Sequence, residues 1–418
     1  MTPTAARNES ATKQPGRDPM GSKYKVLFIG PGPVPPSKDP QKNLHFQISD
    51  FCEGDYITEH WGSRRDYRGR SLTDLYDTLG SFRYHATLSG GIPRPLRLGW
   101  EFAYLLRKGV QLSRSRGPFD AIVAYGPFSF AVVGWLLRRW TSAKLVVEVP
   151  GPPTGGHAFE RGLVNRVKSR LAQLYVPRLL RSADALRLYF PNQLDELPAG
   201  NYPPAFVFPD LVAVSTITSL PRRETSQDGR YALFMGHPFE RKGVDVLIKA
   251  FRQISDRHTD LSLKIVGYCP DVSPYQDLVG DNPRISFLPG QSHEKAMELM
   301  AGCTFFVLPS RAEGVPRVLI EAMAAKKPVI STRVDGIPYL VEDGVHGLLV
   351  EPDDVEGLAS KMDLLQNDPE LARRVAEAGY DRVLGHFSEE CYKQEFRKMM
   401  VYLAGERAPR RSNTDECL

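Results

Sequence analysis

Two glutamates, Glu313 and Glu321, stand eight residues apart in the stretch from Pro309 to Ser331, PSRAEGVPRVLIEAMAAKKPVIS. A carboxylate near a helix N-terminus can accept hydrogen bonds from hydroxyl groups while neighbouring backbone N–H groups face an anion or a sugar oxygen. The N–H groups in question belong to Gly314 and Val315. Pro316 falls near the first helical position, where a missing N–H costs nothing. Eight residues at ~100° per step bring Glu321 within about 80° of the face that carries Glu313, about two turns deeper. Glutamates at this spacing are common on solvated helices. The apolar company of Val318, Leu319, Met323 and Ala324 argues instead for a packed helix.

A second group is Gly236-His237-Pro238-Phe239-Glu240-Arg241-Lys242-Gly243. A strand ends at Met235, the glycine-containing loop turns, and a helix starts at about Val244. Lys242 and Arg241 are placed to meet a diphosphate, where a point charge adds a charge-assisted bond to whatever the backbone N–H groups supply. Taken alone, the same pattern describes a helix cap with surface basic residues. Gly30-Pro31-Gly32 is a third candidate. Pro35 stands where the third glycine of a dinucleotide fingerprint belongs, and the prolines remove N–H donors, so this loop is read as shaping an acceptor pocket. His157, after Gly155-Gly156, is placed either to reach a substrate on that acceptor side or to cap the next helix. Asp353-Asp354 precede a helix and read as its N-cap and first turn rather than as a metal pair. No His cluster and no Asp-x-Asp pattern is present, so no metal is expected.

These loops need strands and helices to hold them. Lys25–Gly30 (KVLFIG), Tyr56–Trp61, Phe82–Leu88, Phe119–Tyr125, Lys144–Val149 and Ala183–Phe190 read as strands. Helices are expected at about Asp39–Phe51, Leu96–Arg114, Phe128–Trp140 and Arg161–Leu180. A second series has strands at Tyr231–Met235, Leu261–Val266, Ile285–Leu288, Thr304–Leu308, Pro328–Thr332 and Gly347–Val350. Its helices are Val244–Arg257, His293–Met300, Val315–Ala325 and Ile337–Val341. Three more close the chain at Val355–Gln366, Pro369–Leu384 and about Ser388–Leu403. Alternation of this kind means α/β architecture: two Rossmann-like, doubly wound parallel-sheet domains facing a cleft, with ligands at the carboxyl ends of the strands. The expected division is a tail over 1–22, a first domain over 23–212 and a linker over 213–229. A second domain then covers 230–385, followed by a final helix over 386–406 and a tail over 407–418.

With 418 residues, 42% hydrophobic and 25% charged, the composition is that of a globular protein of two domains. No run approaches the ~20 apolar residues of a membrane span. The N-terminus lacks the apolar core of a signal peptide. Five scattered cysteines suggest neither a disulfide framework nor a zinc site, and fit a reducing cytoplasm. The net charge of +5 conceals an asymmetry, because residues 1–223 carry +12 and residues 224–418 carry −7. Arg161, Arg166, Lys168, Arg170, Arg178 and Arg181 share a helical stretch with Leu163, Val164, Leu171, Leu174 and Leu179. Arg97, Arg107, Lys108, Arg114 and Arg116 form a second basic segment. A basic amphipathic helix can lie on an anionic membrane, and an ordinary surface helix over a sheet shows the same pattern. No aromatic-plus-basic module for nucleic acid is evident.

The chain resembles the family 4 glycosyltransferases, retaining enzymes with the two-domain GT-B fold. The resemblance is strong from Tyr231 to about Pro352 and weaker over Lys25–Asp210. It is carried by Glu313-Gly-Val-Pro-Arg-Val-Leu-Ile-Glu321, by Lys242-Gly243-Val244-Asp245, and by Lys327-Pro328-Val329-Ile330 with Gly336-Ile337-Pro338 and Asp343-Gly344 through Gly347-Leu348-Leu349-Val350. The resemblance implies a nucleoside-diphosphate-sugar donor and a hydroxyl acceptor, a glycan or lipid-linked glycan in cell-surface polysaccharide synthesis. It implies acceptor binding for the first domain and nucleotide-sugar binding for the second. It implies that Glu321 bonds the donor ribose and that Glu313 contacts the transferred sugar near Gly314, Val315 and Pro316. Lys242 neutralises the diphosphate beside Gly236 and His237, and the last helix crosses back to the first domain. No cofactor or metal is implied, and the setting is cytoplasmic, peripheral on the inner membrane face. The sequence departs from the family in four places. His237 stands where the family has Arg, so Arg241 or a protonated His237 would supply the second charge. The strand ending Glu148-Val149-Pro150-Gly151 lacks the usual His, Tyr339 replaces an acid, and Pro31 splits the first glycine pair. Two other readings remain: a sugar-nucleotide epimerase or hydrolase on the same fold, and a donor-binding scaffold without catalysis.

Overall fold

The computed structural model describes residues 22–31, 43–59, 75–87, 92–153, 163–219 and 229–405. The first half contains β1 (Tyr24–Pro31), α1 (Leu44–Gln47), β2 (Cys52–Glu59), β3 (Leu75–Leu79), β4 (Phe82–Ala86), α2 (Arg94–Arg116), β5 (Ala121–Tyr125), α3 (Ser129–Arg138), β6 (Lys144–Val149), α4 (Leu163–Arg181), β7 (Ala185–Leu188), β8 (Ala205–Val207) and α5 (Val214–Thr218). The second contains β9 (Arg230–Met235), α6 (Val244–Ile254), β10 (Leu261–Val266), α7 (Ser273–Val279), β11 (Ile285–Leu288), α8 (His293–Gly302), β12 (Phe305–Leu308), α9 (Arg317–Ala324), β13 (Val329–Thr332), α10 (Ile337–Leu340), β14 (Leu348–Val350), α11 (Val355–Asn367), α12 (Pro369–His386) and α13 (Glu389–Leu403).

Strands buried on both faces read as unbroken apolar runs. Val26–Ile29 of β1 and all of β12 are of this kind. The first sheet has eight strands in the order β3-β4-β2-β1-β5-β6-β7-β8. Its pairings are parallel except for β3 against β4. The second has six strands in the order β11-β10-β9-β12-β13-β14, all parallel. The helices that cover them are begun by their own side chains. Ser292 caps α8, Asp354 caps α11, Asp368 caps α12 and Ser388 caps α13, each accepting a backbone N–H three residues on.

Several expectations change. The helix expected over 39–51 is described only from Leu44 to Gln47, where Asn43 caps it; residues 32–42 lie outside the described part. The second strand starts at Cys52 rather than Tyr56, because its pairing with β1 begins at Tyr24↔Cys52. β3, β8 and α7 were not foreseen; each is a short or edge element with little periodicity of its own. The polar stretch read as linker contains α5, whose Val214 and Ile217 enter the second domain's core. Composition alone hides so short a helix. Cys52, Cys269 and Cys303 are free thiols, but Cys391 is disulfide-bonded, contrary to the expectation from spacing. Sequence spacing does not say which thiols meet in space.

The last described helix packs on the first sheet. Tyr392, Phe396, Met399, Met400 and Leu403 of α13 share a core with Val26, Phe28, Phe82 and Phe208. Lys393 and Arg397 add ion pairs to Asp50 at 3.5 and 3.2 Å. Glu389, at the start of α13, accepts hydrogen bonds from the backbone and hydroxyl of Ser215 in α5, so the two connections between the sheets are tied to each other.

Candidate active site

The second sheet reverses its strand order between β9 and β12, and a doubly wound sheet binds ligands at that reversal. The β9–β10 ladder runs to Met235 and the β12–β13 ladder runs to Leu308. The ladder between β9 and β12 stops earlier, at Phe306↔Leu233. Past that point the two strands share no ladder bond, and the loops that follow them, 236–243 and 309–316, flank the opening.

The opening holds Lys242 and Glu313, which the structure joins as a buried ion pair. Lys242 is 8% exposed and Glu313 is 5% exposed, so neither charge is screened by water. Ser310, fully buried, donates its hydroxyl to the same Glu313 oxygen at 2.7 Å. Thr332 fixes Ser310 in turn by bonding its carbonyl at 2.6 Å. The Glu313 N–H donates to the Asp335 carboxylate at 2.7 Å. Asp335 holds φ at 45°, a left-handed conformation uncommon for a residue with a side chain.

Burial pushes the Lys242 ammonium below its ordinary pKa; Glu313 opposes this shift and the nearby Arg241 charge adds to it. Glu313 thus favours the cationic form of Lys242. Arg241 is half-buried, and among the described residues no carboxylate lies within ion-pair distance of it. His237 is exposed on the same loop, and the Arg241 charge lies near enough to Lys242 to act on its pKa. Gly236, which leads into the loop, is in ordinary contact range of Lys242 at its side-chain position. Gly243 needs to be glycine twice over: its φ is +68°, and a Cβ there would sit 2.0 Å from the Pro309 carbonyl oxygen.

Glu313 and Glu321 do not share a helical face. α9 starts at Arg317 with Pro316 as its N-cap, which leaves Glu313 in the preceding turn rather than on the helix. Glu321 lies within α9, half-buried, with its carboxyl pushed up by burial and pulled partly back by Arg317. Among the described residues it makes no side-chain hydrogen bond. Gly314 and Val315 lie between, and Val315 packs into the core. A Cβ on Gly314 would lie 2.2 Å from the Pro150 carbonyl oxygen, so this turn touches the loop after β6. That loop is held by Gln193, which is buried and donates its amide to the carbonyls of Val149 (2.5 Å) and Gly151 (2.6 Å). The first domain therefore reaches the Glu313 turn directly. Gly30 packs against Tyr125 and Tyr56 at the end of β1. Gly32 and His157 lie outside the described residues. Asp354 is an N-cap as expected, but Asp353 pairs with Arg311 instead of entering the helix.

Sequence reading missed Ser310, Arg311, Asp335 and Gln193. Ser310 and Arg311 stand in the very turn it singled out, and Asp335 in the Val-Asp-Gly-Ile-Pro turn after β13. Their roles are long-range contacts, which spacing does not encode. Among the described residues no group of three or more His, Cys, Asp or Glu side chains is arranged to hold a metal ion.

Residues 217–382 match the family model described as glycosyl transferases group 1. An uncharacterized glycosyltransferase of Methanocaldococcus jannaschii is 28% identical over 311 residues, covering 73% of this chain and 82% of its own. A lipopolysaccharide core biosynthesis glycosyltransferase of Rhizobium meliloti is 28% identical over 181 residues, 43% of this chain and 52% of its own. Among solved structures, sucrose-phosphate synthase from Thermosynechococcus elongatus superposes with a TM-score of 0.72 at 19% identity, over 92% of this chain and 100% of that one. Anabaena Alr3699/HepE in complex with UDP superposes with a TM-score of 0.63 at 16% identity, over 90% of this chain and 100% of that one. The fold is GT-B.

Proposed function

We propose that the chain is a retaining glycosyltransferase that moves a hexosyl group from a nucleoside-diphosphate sugar to a hydroxyl acceptor. The observation that carries this reading is the buried Lys242–Glu313 pair at the strand-order reversal, inside the segment that matches the group 1 family model. The bond from the anomeric carbon to the leaving diphosphate breaks as the bond to the acceptor oxygen forms on the same face. The acceptor proton passes to a leaving phosphate oxygen. Negative charge grows on the diphosphate as this happens, and a preorganised cation in a water-excluded site stabilises that change. Lys242 and Arg241 supply the cations. Glu313 is committed to Lys242 and Ser310, which suits it to orient sugar hydroxyls rather than to attack carbon. No step needs a metal or a cofactor.

Glu321 is assigned to the donor ribose. A half-buried carboxylate with no side-chain hydrogen bond among the described residues is a ready acceptor for a vicinal diol. Glu321→Ala is expected to weaken binding of the cognate nucleoside diphosphate severalfold or more by titration calorimetry; an unchanged dissociation constant would remove Glu321 from the ribose. Incubating the chain with UDP-, GDP- and ADP-sugars, with and without saccharide acceptors, tests the reaction itself. A new glycosidic product supports transfer, whereas an isomerised donor or free sugar in equal amounts with and without acceptor supports an epimerase or hydrolase.

The acceptor is read as a glycan or lipid-linked glycan of cell-surface polysaccharide synthesis, a reading supported by the Rhizobium meliloti relative's name and by the basic first half. The chain would work in the cytoplasm, peripheral on an anionic membrane. Among the described residues no helix is long and apolar enough to cross a membrane. α4 instead exposes Leu171 (54%) and Leu174 (63%) beside the exposed Arg170, which suits an interfacial contact. Vesicles containing phosphatidylserine are expected to retain the protein at low salt and release it at high salt, since screening shortens the reach of exposed charges. Equal retention on neutral and anionic vesicles would contradict an electrostatic contact.

A further inference from the structure

Arg311 is used by none of the steps above, yet both its backbone and its side chain bond across the two loops. It leaves the β12 side of the opening and ends on the β9 side. Its backbone N–H donates to the Arg241 carbonyl at 2.8 Å. Its Nη1 donates to the Glu240 carbonyl. Its two terminal nitrogens meet the two oxygens of Asp245 in α6 at 3.0 and 2.9 Å, a bidentate pair that fixes orientation as well as distance. Asp353, after β14, accepts a further bond from Nε at 2.7 Å. Burial alone would raise the Asp245 carboxyl; the Arg311 bonds outweigh it and hold Asp245 below its ordinary range.

The placement matters because the sheet itself does not join the two loops. The β9–β12 ladder ends at Phe306↔Leu233, before either loop begins. Glu240 and Arg241 immediately precede Lys242, and Arg311 lies two residues before Glu313. The contacts therefore join the backbone beside the cation to the backbone beside its carboxylate. We propose that Arg311 is a positioning residue that clasps the two loops across the opening and sets Lys242 against Glu313. Lysine at this position carries a point charge and cannot reproduce the bidentate fork.

This inference rests on the reading of Lys242 as the diphosphate cation only for its kinetic half, so two measurements are paired. The first is amide hydrogen exchange on the whole chain. Arg311→Ala and the isosteric Asp245→Asn are expected to speed exchange at Lys242, Gly243 and Val244, whose N–H groups bond within the loop. Arg373→Ala, at an exposed position of α12, is expected to leave those amides unchanged. Wild-type exchange at these three amides in both clasp variants would overturn the clasp, whatever the reaction. The second is a double-mutant cycle on sugar transfer. Arg311→Ala is expected to lower kcat on the order of tenfold in the wild-type background and to have almost no further effect when Lys242 is already alanine. Arg311→Lys is expected to recover only part of the loss. Equal effects in both backgrounds would show that Arg311 does not act through Lys242. If the wild-type chain transfers no sugar, the reaction assigned above fails, and the exchange result alone decides the clasp.

Discussion

Replacing Lys242 with alanine is expected to slow sugar transfer by about 100-fold, the usual loss when one preorganised transition-state charge contact is removed. The effect should fall mainly on kcat. In the resting chain the ammonium already has a partner, Glu313, and is largely withdrawn from water. It therefore gains most when the leaving diphosphate takes on charge during bond cleavage. Removing it also leaves Glu313 buried without its counter-charge, and the cost of breaking a buried pair by deleting one partner is about 3–5 kcal/mol. Thermal melting should be measured beside turnover for that reason. Lys242→Met, which keeps the apolar stem, is expected to lose turnover equally. Wild-type turnover in a folded Lys242 variant would remove this residue from the mechanism.

Glu313→Gln is expected to change the pH profile as well as the rate. Burial lowers the Lys242 pKa, Glu313 holds it up and Arg241 adds to the lowering. Without the Glu313 charge, the pKa falls further. The working form is the ammonium, present below that pKa and lost as pH rises through it. The basic limb of kcat against pH should therefore move to lower pH in Glu313→Gln, with each unit of movement worth about a tenfold loss at a fixed pH on that limb. The variant should come closest to wild type at the acid end of the profile. A basic limb that stays in place would show that Glu313 does not maintain the Lys242 charge, and would leave it only a contact to the sugar.

Much of this site could be read from sequence because its parts are local. The apolar run to Met235, the glycine turn and Lys242 fall within a dozen residues, and Leu308, Glu313 and Glu321 lie equally local to one another around the next turn. Alternating strand and helix patterns were enough for two parallel sheets, since buried parallel strands such as β9 and β12 are continuous apolar runs. What escaped depends on contacts between distant segments. Asp335 reaches Glu313 from 22 residues away, Arg311 reaches Asp245 from 66, and Gln193 holds Gly151 from 42. The Lys242–Glu313 bond itself spans 71 residues. Sequence reading set Lys242 against the diphosphate and Glu313 against the transferred sugar, because it had no means of bringing the two side chains into contact. The helical-face argument for Glu313 failed for a local reason: Pro316 begins α9 later than the apolar pattern suggested, and residues before it do not follow helical geometry.

The central claim is that the opening between β9 and β12 binds the diphosphate of a sugar nucleotide. Titration calorimetry of UDP, GDP and ADP against the wild-type chain and Lys242→Ala tests it most directly. The account predicts that at least one of the three binds the wild-type chain at a single site and binds Lys242→Ala at least tenfold more weakly, a difference of about 1.4 kcal/mol. Failure of all three to bind the wild-type chain, or equal affinity for the folded variant, would contradict it.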